Sequence, residues 1–189
     1  MSVPSPSARA LARVVDPASA LQSALGSLES RGPEPVLAAL RRFPAEPARL
    51  VPFPDDLHPL LAQALRARGI EQLYSHQREV WDALREGHDV TVVTPTASGK
   101  TLCFNLPVLQ GILTDPDTRA LYLFPTKALA QDQLAALQSV IDASGADVAA
   151  FTYDGDTPAD ARQAIRARAH VVVSNPDMLH KGILPHHTK

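Results

Sequence analysis

The chain has 189 residues, 45 % of them hydrophobic, with one cysteine and 18 Lys plus Arg against 20 Asp plus Glu. That is room for one domain, or one domain with an appendage, around a sizeable core. The single Cys103 excludes an internal disulfide and a cysteine-rich zinc site, no apolar run is long enough for a membrane-spanning helix, and the near-balanced charge means that any nucleic-acid role rests on local groups.

The N-terminal stretch "MSVPSPSARALARVV" has no apolar region of secretory length, and the cysteine usage fits a reducing, cytoplasmic setting. Ten of the 17 prolines fall in the first 60 residues. Residues 1–16 read as a flexible tail, 18–42 as one or two short helices and 42–57 as an extended linker. On this reading 1–55 is an N-terminal arm and linker, and 56–189 is the main domain.

From residue 56 the pattern is regular. Helices are expected over 56–68, ending at Gly69, and over 75–86, with Ser75 as N-cap candidate and Gly87 beyond its end. Strands are then expected at 89–93, 120–124, 147–151 and 170–174. They alternate with helices at about 100–112, 127–143, 158–168 and 176–181. This alternation predicts an α/β fold, a mostly parallel sheet flanked by helices. Right-handed crossovers put every strand's C-terminal end on one edge, where open sheets of this kind bind ligands.

The first such edge position carries a phosphate-loop pattern: Thr94-Pro95-Thr96-Ala97-Ser98-Gly99-Lys100-Thr101. Gly99 permits the tight turn that converges backbone N–H groups on an anion, and the helix opening at about residue 100 adds its positive end. Lys100 can neutralise outer phosphates, and the Thr101 hydroxyl can ligate Mg²⁺. Thr94 stands where the general pattern has its first glycine. Upstream, the Gln77 side-chain amide offers a donor and an acceptor together, a match for adenine.

Three further strand-to-helix junctions carry N-cap residue types: Thr126, Thr157 and Asn175, the last two followed by proline. Free N–H groups at helix starts bind phosphates without regard to base. Plain helix capping accounts for the same residues.

The segments "LYSHQ", "TPTASGKT", "LFPTKALAQDQ", "YDGDTP" and "VVSNPDML" occur in this order. They resemble the Q motif and motifs I, Ia, Ib and Ic of superfamily 2 DEAD/DEAH-box helicases, nearest in wording to the mitomycin-repair type DNA helicase branch. The resemblance covers about residues 56 to 189. It implies a RecA-like ATP-binding domain, ATP and Mg²⁺ as cofactors, and nucleic acid as partner, DNA in preference to RNA. Gln77 and Thr94 to Thr101 would hold ATP, with Lys100 catalytic and Thr101 on the metal. Thr126, Lys127, Gly155, Thr157, Ser174, Asn175, Pro176 and Asp177 would line the nucleic-acid track.

The chain departs from the family at its acidic pair. The last glutamate is Glu86, before the phosphate loop. Asp154 precedes Gly155 and fits motif Ib, and Asp177 stands late and behind Pro176. The expectation is therefore an N-terminal portion of a longer ATP-dependent helicase, inactive by itself. Two other readings remain: a non-enzymatic nucleotide- or nucleic-acid-binding module complete at this length, and a small P-loop kinase. Cys103 is expected in the core, and His186 and His187 in a solvated tail.

Overall fold

A computed structural model describes residues 17–29, 39, 41 and 47–186. The chain divides into two compact units, Met1–Glu46 and Pro47–Lys189. In the first, helix α1 spans Pro17–Glu29. The expected tail at 1–16, the linker residues 42–46 and most of the expected helix beyond 29 lie outside the described residues, as does His187.

The second unit opens on a feature absent from the sequence reading. Strand β1 (Leu50–Val51) pairs antiparallel with β2 (Leu73–Tyr74), Leu50 opposite Tyr74 and Val51 opposite Leu73. Residues 47–55, read as arm and linker, are thus part of this unit. Two residues give no period to read, so only the partner strand defines such a ladder.

Helix α2 (Pro59–Ala67) begins where the His58 ring accepts the Leu60 N–H at 3.2 Å, with proline in the first turn where its missing N–H costs nothing. Helix α3 (Ser75–Arg85) is capped at Tyr74, one residue before the expected Ser75, because the Gln77 side chain reaches back to the Tyr74 N–H at 2.9 Å. Helix α4 (Lys100–Thr114) follows the phosphate loop.

Strands β3 (Ala120–Leu123), β4 (Ala150–Thr152) and β5 (Val171–Ser174) form a parallel sheet in the order β3-β5-β4. Helices α5 (Lys127–Ser144) and α6 (Ala159–Arg168) connect them. The apolar core joins Leu61 and Leu65 of α2, Leu109 of α4, Leu137 and Val140 of α5, and Val171 and Val173 of β5. A smaller cluster of Tyr153, Ile165 and Ala169 packs on Val172 from the opposite face. Alternation along the strands therefore buries Tyr122, Val171 and Val173 and leaves Leu121, Leu123 and Phe151 exposed.

Three expected elements differ. The strand at 89–93 does not form, and Val93 is 89 % exposed. A strand is completed by a neighbour that takes its N–H and C=O groups, and among the described residues none pairs with this stretch. The strand expected at 147–151 begins at Ala150, because the Ala149 N–H is taken by the His170 ring at 3.0 Å. The helix expected at 176–181 is α-helical only over Pro176–Met178 (α7) and continues as a π-turn over Leu179–Ile183, closed by the Leu184 N–H on the Leu179 carbonyl. Pro185, which has no N–H to donate, follows directly.

Candidate nucleotide and nucleic-acid site

The phosphate loop is held by side chains rather than by a sheet. Gly99 lies in the left-handed region at φ 76° and Ala97 at φ 61°, so the chain doubles back twice before α4. At Gly99 an added Cβ would also stand 2.7 Å from Gln77 Nε2. Glycine is therefore required there both by backbone conformation and by a neighbour.

Gln77 is 4 % exposed. Its Oε1 accepts the Tyr74 N–H, and its Nε2 donates to the Gly99 carbonyl at 2.8 Å. The donor and acceptor that the sequence offers for adenine are thus engaged in joining the start of α3 to the loop. One Nε2 hydrogen and one Oε1 lone pair remain by valence.

Lys100 opens α4, and its ammonium turns back across the loop. Nζ donates to the carbonyls of Thr94 and Pro95 at 2.8 and 2.6 Å. Thr94 and Ser98 bridge beneath it, hydroxyl to hydroxyl at 2.6 Å. Pro95 and Thr96 are exposed at the loop tip. Thr101, one residue into α4, donates its hydroxyl to Gln133 Oε1 of α5 at 3.3 Å. Cys103 faces inward on the same helix, and burial pushes its thiol above the ordinary range, as expected of a core residue.

The second half of the site lies at the C-terminal ends of β3, β4 and β5. Thr126 caps α5, its hydroxyl accepting the Leu129 N–H at 3.2 Å. Asn175 caps α7, its Oδ1 accepting the Met178 N–H at 2.8 Å, with Pro176 in the first turn. Thr157 differs from expectation. The cap of α6 is Pro158, and Thr157 instead closes the preceding loop, its hydroxyl accepting the Asp154 N–H at 2.9 Å. The extended Pro158 backbone holds Thr157 one residue too far from the helix to cap it.

Ser174 is a second correction. It is 2 % exposed and donates to the Tyr153 carbonyl at 2.6 Å, so it braces the sheet edge from inside. Lys127, Gly155, Asn175 and Asp177 do come together. With Arg162, Met178, Lys181 and Gly182 they line a groove of about 420 Å³. Lys127 is ion-paired with Asp156, and Lys181 with Asp177 at 2.9 Å. Arg162 donates to the carbonyls of Thr157, Asp154 and Gly155.

Sequence reasoning missed Gln133, Asp156, Arg162 and Lys181. Only Lys181 carried a local signal, four residues after Asp177 on a helical stretch. Lys127 and Asp156 are 29 residues apart in the chain.

A family model described as DEAD/DEAH box helicase matches residues 74–189. The ATP-dependent helicase YprA of Bacillus subtilis (strain 168) is 54 % identical over 142 residues, covering 75 % of this chain and 19 % of its own. The ATP-dependent helicase hrq1 of Schizosaccharomyces pombe is 39 % identical over 153 residues, covering 79 % of this chain and 14 % of its own. The crystal structure of the DUF1998 helicase MrfA bound to DNA and AMPPNP superposes with a TM-score of 0.74 at 53 % identity, over 76 % of this chain and 20 % of that one. The chain thus spans between 14 % and 20 % of the length of these relatives.

Proposed function

Because the chain belongs to the DEAD/DEAH box helicase family and has a parallel α/β sheet of the RecA-like kind, we propose that it is the ATP-binding and nucleic-acid-gripping portion of an ATP-dependent DNA helicase or translocase. DNA repair in the cytoplasm is the proposed setting, consistent with a relative, MrfA, that is bound to DNA. Among the described residues no helix is long and apolar enough to cross a membrane.

One observation carries this reading: a left-handed Gly99 immediately before a helix whose first residue, Lys100, holds its ammonium among the loop carbonyls. The fit to ATP with Mg²⁺ rests on that donor set. The helix start offers unpaired backbone N–H groups, Lys100 a mobile cation, and Thr101 a hydroxyl on the next residue. Bound there, ATP supplies the free energy of hydrolysis, with Mg²⁺ screening its phosphates. Lys100 would exchange the Thr94 and Pro95 carbonyls for the phosphate oxygens. Thr101 would present its oxygen to the metal while its O–H stays directed at Gln133 Oε1. Gln77 keeps the loop in place, and its remaining amide valences are available to a base.

At the other half, Thr126 and Asn175 cap the helix starts, Lys127, Gly155, Asn175 and Asp177 line the groove, and Pro176, in the first turn of α7, belongs to the same proposed track. Backbone N–H groups and lysines there would grip phosphates without base preference. Binding of a fluorescent ATP analogue with Mg²⁺ tests the assignment. Lys100→Ala should abolish it, and equal affinity of wild type and variant overturns the reading. The 189-residue chain should show no stimulated phosphate release above the Lys100→Ala background. With no glutamate after Glu86, it lacks a base for the attacking water, and one missing group of this kind commonly costs about 10²–10⁴-fold.

A further inference from the structure

Three basic side chains line the groove at the sheet edge, and they are not equivalent. Arg162 is committed to the backbone. Its Nε donates to the Thr157 carbonyl at 2.9 Å, and one terminal nitrogen donates to the carbonyls of Asp154 and Gly155 at 3.1 and 3.2 Å. The guanidinium also lies over the Tyr153 ring at 5.6 Å. A planar fork of donors is what this three-carbonyl loop needs, so Arg162 shapes the groove wall.

The two lysines are held differently. Lys127 pairs with Asp156, and Lys181 with Asp177. Both pairs stand in solvent, with side-chain exposures of 50 % and 83 % in the first and 72 % and 74 % in the second. Exposed pairs of this kind are weak and exchange readily. The hydrogen bond that Lys127 donates to Asp156, with the charges of Asp156 and Asp154, holds its ammonium above the ordinary value, and Asp177 does the same for Lys181. Both are therefore cations throughout the neutral range. A carboxylate and a phosphodiester present the same feature to an ammonium: anionic oxygens within charge-assisted hydrogen-bond reach.

We propose that Lys127 and Lys181 are the two phosphate-contacting cations of this groove, and that Asp156 and Asp177 occupy them in the free protein, so that a single strand binds by displacing carboxylate with phosphate. This rests on the nucleic-acid reading above and adds to it a second cation and a pair of internal competitors. Without the competitors the groove would be a standing cationic patch. With them it is nearly neutral, and a strand gains only the difference between a phosphate and a carboxylate on each lysine. A strand that reaches both lysines displaces both carboxylates, whereas an isolated anion displaces one.

The experiment is a salt titration of the full chain with a 5′-fluorescein-labelled oligo-dT, read by anisotropy. Lys181→Ala should flatten the slope of log affinity against log salt by about 0.7, the contribution of one phosphate on a single strand. Asp156→Asn and Asp177→Asn should each raise affinity about two- to five-fold at every salt concentration, the span of an exposed ion pair, with the slope unchanged. Arg66→Ala, which removes a paired base outside the groove, should alter neither quantity. A slope unchanged by Lys181→Ala, or an affinity unchanged or lowered by Asp156→Asn and Asp177→Asn, overturns the exchange while leaving the nucleic-acid reading in place. No binding of oligo-dT by the wild type even at the lowest salt overturns both.

Discussion

The two halves of the site are built by different means. At the sheet edge, β3, β5 and β4 pair residue by residue, and the helices that follow β3 and β5 start from capping side chains, Thr126 and Asn175. The phosphate loop has no such frame. Among the described residues none pairs with its preceding apolar run, and Val93 is 89 % exposed. The loop keeps its turn through Gln77 on one side, Gln133 on the other and Lys100 across its mouth. A motif held by sheet pairing tolerates the loss of one side chain. A motif held by single hydrogen bonds from separate helices does not, so equivalent substitutions should do more damage at the loop than at the edge.

The largest expected effect is Gly99→Ala. The left-handed backbone with a Cβ costs about 1–2 kcal/mol. The methyl also meets Gln77 Nε2 at 2.7 Å, so the bond to the Gly99 carbonyl breaks. Leaving that buried amide unpaired adds about 1–3 kcal/mol. Urea denaturation should show the loss, and analogue binding should fall with it. A variant as stable as wild type would mean that the loop relaxes freely.

Gln77→Ala should come next, at about 1–3 kcal/mol for the orphaned groups at Tyr74 and Gly99. It also separates the two roles open to this side chain. If Gln77 acts by holding the loop, fluorescent adenine and guanine nucleotides should weaken in parallel. Loss confined to the adenine nucleotide would make it a base reader first.

At the sheet edge, Thr126→Ala and Asn175→Ala each remove one cap and should cost about 1 kcal/mol of stability. Nucleotide affinity should hold, since neither residue touches the phosphate loop. A fall in nucleotide affinity equal to that of Gln77→Ala would erase the contrast between the halves.

The same contrast explains what could be read from sequence. Helices α2 to α6 were legible because each has an apolar period and end signals within its own residues, such as Pro59 and Gly69 around α2. Strands β3 and β5 were legible as apolar runs between helices. The stretch at 89–93 has the same composition, but a ladder is a property of two segments, and its neighbour cannot be read from its own residues. The Gly99 turn, the start of α4 at Lys100 and the caps at Thr126 and Asn175 are local features, legible from their own residues. Thr157 misled because Pro158 serves as the cap and not as the first helical residue. Ser174 misled because residue type does not tell which side of a sheet edge a hydroxyl takes. The partners of Lys127 and Thr101 come from loops and helices far along the chain.

The smallest expected effect concerns a contact that joins the halves. Gln133 sits on α5, the helix whose first residue, Lys127, lines the groove, and its Oε1 accepts the Thr101 hydroxyl proton at 3.3 Å. A hydroxyl that lends its lone pair to Mg²⁺ keeps its proton and needs an acceptor for it, as metal ligands generally do. Gln133→Leu removes that acceptor at nearly the same volume. Half-saturating Mg²⁺ for analogue binding should rise about two- to five-fold, the worth of one modest hydrogen bond. Oligo-dT affinity measured without nucleotide should not move, because the Lys127 end of α5 is untouched. Gln133→Glu retains an acceptor and should restore the Mg²⁺ requirement to the wild-type value or below. If leucine and glutamate raise it equally, the contact is packing only, and the phosphate loop is held from the Gln77 side alone.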